Sequence, residues 1–254
     1  MDEILVKHDG PVMRLALNRP HHRNPLSLRM MGEIVDALAD IPTDSRVVVI
    51  SGEGPAFSAG HDLSEMVGAD IGLLTELFER CTQMMEAIQV ISQPVIARVH
   101  GVATAAGCQL VASCDLAVAA DTARFATPGV KIGLFCSTPM VPLSRAIGRK
   151  RAMEMLLTGE FVDAATAADW GLVNRVVPEQ DLDAAVEGLV DAILRSSQLV
   201  VGIGKQAFYR QIDLDQHSAY DETKSVMIAN AALGDAQEGI SAFLEKRRPT
   251  WKNR

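Results

Sequence analysis

Aromatic residues are scarce in this 254-residue sequence: seven Phe, two Tyr and two Trp amount to 4%. Its core must therefore be filled by Leu, Ile, Val, Ala and Met, which carry most of a 48% hydrophobic content. Cysteine is also rare. Cys81, Cys108, Cys114 and Cys136 form no CxxC and no Cys/His pair at zinc spacing. That argues against a metal site and for reduced, mostly buried thiols. No apolar run approaches the ~18 residues of a membrane span. The net charge of −8 sets the chain apart from proteins that grip nucleic acid nonspecifically. The opening MDEILVKHDG has neither the regions of a secretion signal nor the Arg/Ser richness of a transit peptide, and TWKNR matches no lipidation or retention signal. A cytoplasmic location is the expectation.

The length allows one large domain or two small ones. Residues 3–8 and 12–17 read as strands around the turn Asp9-Gly10-Pro11. Ser27 is placed to cap a helix running to about Asp40. The apolar, β-branched run 46–51 predicts a buried strand, followed by the Gly-rich loop GEGPAFSAG and a helix over 71–92. A second strand (94–99), small-residue loop and helix beginning near Gly107 repeat that outline. Strands follow at 115–120 and 174–177, with two or three helices over 138–168. From Glu179 only helical patterns occur. The class is α/β with a helical C-terminal part.

Two loops of Gly, Ala and Ser share one design: each follows an apolar strand and leads into a helix or turn. In the second, five of residues 101–107 are Gly or Ala. One reading is tight strand–helix packing. The other is that small residues let a ligand approach free backbone N–H groups at a helix start. Two such donors converging on one oxygen would form an oxyanion hole, each worth ~3 kcal/mol in the transition state.

The stretch ISGEGPAFSAGHDLSEM resembles the first signature of the crotonase (enoyl-CoA hydratase/isomerase) superfamily. HGVATAAGCQLVASCDLAVAADTARFATPGVKIGLF is similar to the second, and NRP, TGE, GLVNRVVP and EGISAFLEKRRP also match. Among members, the chain is most similar to the enoyl-CoA hydratase domain-containing type with TPGV and GLFCSTP sequences. The resemblance implies a crotonase-like spiral of ββα units over 1–195 and a helical oligomerisation region over 196–254. It also implies self-association as trimers or hexamers, and no prosthetic group. The implied ligand is an acyl-CoA thioester whose oxygen accepts from the backbone N–H groups of His61 and Ala106. The His61 ring is then expected in solvent or at the pocket rim, rather than as a base. Ala56, Ser58 and Ala59 would lie along the pantetheine and adenine, Arg23 at the phosphates, and Met227 near the adenine. Lys246 would contact CoA from the C-terminal helix, in some relatives across a subunit boundary; Lys246–Arg248 also read as a solvated helix end.

The chain departs from the hydratase pattern at the two catalytic glutamates, where it has Gln109 and Gly129. An amide can hold a water but cannot take its proton, and glycine can do neither. Two-glutamate hydration is therefore expected to be impaired, and restoring both glutamates to raise it. Gly129 and Pro128 are read as leaving room for a bulkier acyl group, a water or an anion. Cys136 stands where naphthoate synthases of the superfamily carry an aspartate, as either a nucleophile or an inert packed thiol. Ser137 and Thr138 are expected to cap the following helix, Asp62 to cap a turn at LSEM, Asp115 to orient a loop or start a strand, and Glu160 to serve a turn. The alternative to an enzyme is a protein that binds acyl-CoA without chemistry.

Overall fold

The computed structural model describes residues 2–253. The strands are β1 (Ile4–Asp9), β2 (Val12–Leu17), β3 (Pro25–Leu26), β4 (Val47–Gly52), β5 (Gly60–His61), β6 (Val95–Val99), β7 (Val102–Thr104), β8 (Leu116–Ala120), β9 (Arg124–Ala126), β10 (Val162–Asp163) and β11 (Arg175–Val177). The helices are α1 (Leu28–Ala39), α2 (Ile71–Val90), α3 (Ala106–Ser113), α4 (Met140–Ala146), α5 (Arg149–Thr158), α6 (Ala164–Trp170), α7 (Leu182–Leu194), α8 (Gln198–Gln211), α9 (Gln216–Ala231) and α10 (Gly234–Leu244).

Each turn of the chain gives one strand to a main sheet, one to a smaller sheet, then a helix. The main sheet has the order β1-β2-β4-β6-β8-β11; the smaller sheets are β10-β9-β7 and β3-β5. Apart from the β1–β2 hairpin, the main sheet is parallel. This is the expected spiral of ββα units.

The run Val47-Val48-Val49-Ile50 is buried throughout because helices cover both faces of β4. Val48 and Ile50 face the larger core, with Met30, Ile34, Met84 and Leu110 from α1, α2 and α3. Val47 and Val49 face the other side, against Leu182, Val186 and Val190 of α7. Each fully buried aliphatic side chain contributes roughly 1.5–3 kcal/mol.

Ser27 caps α1 by accepting from the Met30 N–H at 3.0 Å. Asp62 caps the next turn through the Ser64 N–H at 3.1 Å and pairs with Arg19 at 2.7 Å. Asp115 does start a strand, since its Oδ2 accepts from the Val95 N–H at 2.6 Å. It also receives Tyr209 Oη at 2.9 Å and buried Lys205 Nζ at 2.7 Å, fastening α8 to the core. Ser137 and Thr138 do not cap α4. No side chain does, because Pro139 is already helical and the Cys136 carbonyl accepts from the Met140 N–H at 3.1 Å.

Candidate active site

The two small-residue loops are joined backbone to backbone. Ser58 N–H donates to the Val102 carbonyl at 3.1 Å, and Thr104 N–H donates to the Ser58 carbonyl at 2.9 Å. Thr104 Oγ1 adds a bond to the Ala59 carbonyl at 3.0 Å. Side chains would prevent this approach: a Cβ on Gly107 would stand 2.5 Å from the Ser58 carbonyl oxygen. Gly60, at φ +94°, would press a Cβ within 2.8 Å of Ala105 Cβ and 3.2 Å of the Ala106 nitrogen. Close packing is thus one reason for the small residues. Buried Asn24, which the sequence reading missed, secures the first loop from below. Its amide donates to the carbonyls of Glu53 and Ala56 at 2.8 Å and of Phe57 at 3.2 Å.

The junction also aims N–H groups. The Leu26 carbonyl accepts from the Asp62 N–H at 3.2 Å. His61, the register partner of Leu26, therefore carries its N–H on the opposite side of the strand, away from β3. Ala106 opens α3, where a helix leaves its first N–H groups unpaired. Before it, Ala105 adopts φ 49°, ψ −119° while its own N–H is held by the Ala126 carbonyl at 2.9 Å. Such strained dihedrals for a residue with a Cβ cost of order 1–3 kcal/mol and gather at functional sites.

Where the loops meet, a cavity of about 520 Å³ opens, within the usual size of small-molecule sites. It brings together Ala59, His61, Ala106, Gly129 and Cys136 from the predicted set. Leu63, Phe78, Ile132, Leu134, Phe135 and Pro139 make most of its wall apolar. These the sequence reading missed; the signal available was the apolar run in the loop KIGLF, which no helix or strand pattern explains.

The enoyl-CoA hydratase/isomerase family profile matches residues 7–254. The chain belongs to the enoyl-CoA hydratase/isomerase family. It is 47% identical over 250 residues to rat "enoyl-CoA hydratase domain-containing protein 3, mitochondrial", covering 97% of this chain and 83% of that protein. It is 35% identical to the 2,3-dehydroadipyl-CoA hydratase of Escherichia coli over the full length of both. Among solved structures, an enoyl-CoA hydratase from Mycobacterium smegmatis superposes with TM-score 0.96 at 50% identity over 98% of each chain. Human enoyl-CoA hydratase domain-containing protein 3 gives 0.95 at 46%, over 98% of this chain and all of that one.

The structure places the remaining predicted residues as follows. Gln109 is buried, and Cys81 Sγ lies 3.8 Å from its Oε1; it does not line the cavity. Gly129 and Pro128 line it, but a side chain does not fit at Gly129: a Cβ would stand 2.0 Å from the Leu134 carbonyl oxygen and 2.8 Å from Cys136 Sγ. Cys136 is buried, and that burial pushes its thiol pKa up, with the nearby Gly129 backbone opposing. Ser58 serves the scaffold, its Oγ donating to the Asn24 carbonyl at 2.8 Å, and Ala56 is buried beside it. Arg23 has an exposed side chain, while its carbonyl accepts from the Ala59 N–H at 2.9 Å at the cavity rim. Met227 on α9 and Lys246 after α10 are exposed and line no part of the cavity. Glu160 pairs with Lys131 at 2.7 Å.

Of the two placements expected for the His61 ring, solvent or the pocket rim, the residue lines the cavity and is not freely solvated. It is half-buried and meets Phe78 edge to face at 5.4 Å. Both ring nitrogens are enclosed without a hydrogen-bond partner. Burial pushes the imidazole below its ordinary pKa; the Leu26 carbonyl opposes this, though it is not in hydrogen-bonding geometry.

Proposed function

We propose that the protein processes an acyl-CoA thioester, holding its carbonyl oxygen between the backbone N–H groups of His61 and Ala106 and its acyl group in the apolar cavity. The observation that carries this reading is the joined pair of loops, which sets both residues on one cavity wall. Enolate stabilisation is the shared chemistry of such a site, and no prosthetic group is needed for it. Ala59 and the Arg23 backbone stand at the rim, on the path a CoA moiety would take. Self-association as a trimer or hexamer goes with this reading, supported by the exposure of Phe243 (83%) and Leu244 (73%) on α10.

Two-carboxylate hydration is impaired in this proposal. Among the described residues, none that lines the cavity is Asp or Glu, so no side chain there resembles the usual pair of acid and base. The same observation favours a second reading, an acyl-CoA binder without chemistry. Crotonyl-CoA hydration, followed by loss of the conjugated thioester absorbance, is expected to be slow or absent while crotonyl-CoA binds in calorimetry. Fast hydration would overturn the impairment; absence of binding would overturn both readings. A cytoplasmic location is proposed from the four free thiols, and fractionation of cells carrying the tagged protein tests it.

A further inference from the structure

Resting on that reading of the thioester carbonyl, we propose that the Thr104 hydroxyl is the positioning group that aims the His61 N–H at the ligand oxygen. The main-chain bonds between the two loops set how far apart they lie. What they leave open is the orientation of the peptides that lead into His61.

Ala59 stands two residues before His61, and Thr104 two residues before Ala106. Thr104 Oγ1 donates to the Ala59 carbonyl at 3.0 Å. Among the described residues, this is the only side-chain hydrogen bond between 57–61 and 102–106. Its donor is held firmly. Thr104 is 7% exposed, pairs with Ala126 across β7 and β9, and gives its own N–H to the Ser58 carbonyl at 2.9 Å.

The acceptor sits on looser backbone. Ala59 is exposed, and Gly60 follows at φ +94°. With no Cβ, that glycine leaves the peptides on either side of it freer to turn. The Ala59–Gly60 peptide is gripped by two hydroxyls: Thr104 Oγ1 at its oxygen, and Ser58 Oγ, which accepts from the Gly60 N–H at 3.2 Å. The next peptide, Gly60–His61, carries the N–H assigned to the thioester oxygen. Turning the first peptide about the glycine swings the second. A donor whose angle falls below ~120° weakens steeply, and an oxyanion hole works because its donors are already aimed.

Packing does not supply this aim. A Cβ on Gly60 would stand 2.8 Å from Ala105 Cβ and 2.9 Å from the Thr104 carbonyl oxygen, so the loops can come no closer. Such contact resists approach; resisting rotation takes a directional bond. Thr104 does not line the cavity, so its hydroxyl acts through the His61 amide and not on the ligand.

The test is infrared spectroscopy of butyryl-CoA isotopically labelled at its thioester carbonyl. Hydrogen bonds to that oxygen lower its stretching frequency. Bound to the wild type, the band is expected below its position in water. Thr104→Val keeps the shape of the side chain and removes the hydroxyl. It should still bind butyryl-CoA but lose about half of the displacement, the share of one donor in two. Thr104→Ser restores the hydroxyl without the methyl group and should recover the displacement, which a loss of packing alone would not do. Thr104→Ala, which crowds nothing, replaces Thr104→Val if that variant fails to fold. A displacement equal to the wild type's in the variant without a hydroxyl overturns the proposal, as does one that Thr104→Ser fails to recover. A wild type that does not bind butyryl-CoA, or binds it with the band unmoved, would strike the underlying reading and the proposal with it.

Discussion

Leu134 donates its N–H to the Gly129 carbonyl at 2.9 Å, and its own carbonyl oxygen lies 2.0 Å from where a Cβ on Gly129 would stand. The turn is closed so tightly that backbone fills the place of a side chain. Gly129→Ala should therefore destabilise the protein by about 1–3 kcal/mol, the range for overpacking. The urea midpoint measures it; an unchanged midpoint would mean the turn opens freely. Gly129→Glu should fare worse, so restoring both glutamates carries a folding cost that the sequence alone does not show.

Ala105 offers the opposite experiment. At φ 49°, ψ −119° its Cβ is strained, and glycine accepts such dihedrals readily. Glycine also loosens the unfolded chain, which offsets part of the relief. Ala105→Gly should raise stability by a net ~1 kcal/mol. A drop of the same size in the urea midpoint would show that the methyl group packs rather than strains.

Lys205 and Asp115 form an ion pair largely withdrawn from water, with Lys205 Nζ also donating to the carbonyls of Ile88 at 2.7 Å and Gln93 at 2.8 Å. Removing one partner of a buried pair leaves the other uncompensated, at a cost of about 3–5 kcal/mol. Lys205→Met should lose that much in chemical denaturation. A loss under 1 kcal/mol would mean that Val95 and Tyr209 alone satisfy Asp115.

The end of the chain is strapped by carboxylates. Glu238 accepts from Arg247 at 2.6 and 2.9 Å and from the Thr250 N–H at 2.8 Å. These partners hold its pKa down to about 2. A carboxylate depressed on folding stabilises fully above its unfolded pKa of ~4.5. That contribution falls away as pH drops through about 2. Trp251, bonded to the Arg195 carbonyl at 2.7 Å, reports on the strap. In a Trp170→Phe background, its fluorescence should change in that acid window before the core unfolds. A change centred near pH 4.5 would show an unperturbed glutamate.

Phe243 and Leu244 supply a last prediction. Charges at both positions, as in Phe243→Asp with Leu244→Asp, should lower the oligomeric state measured by light scattering while leaving helix content unchanged. An assembly that survives both charges would place the contact surface elsewhere.

The long elements were legible because burial leaves a pattern in sequence. The unbroken apolar run at 47–50 signals a strand covered on both faces, and Ser27 marks the start of α1. The strands β3, β5, β7, β9 and β10 were not, since segments of two or three residues carry no period to read. They form because the backbones of neighbouring loops meet, and only the small size of Gly60 and Gly107 hints at it. At the site, the family signatures brought out five of the residues that share the cavity. They did not reveal that Gln109 turns toward Cys81, or that the His61 ring is sealed against Phe78. Those orientations depend on neighbours far away in sequence.

The splice between residues 57–59 and 100–104 runs through amides and carbonyls, with Thr104 adding a hydroxyl. The spacing of the two amides proposed to hold the thioester oxygen is thus built into main chain, while the rest of the cavity wall hangs from side chains on separate elements. Such a frame tolerates exchange of the side chains around it one by one, so a chain of this kind is free to alter its cavity wall without rebuilding the clasp.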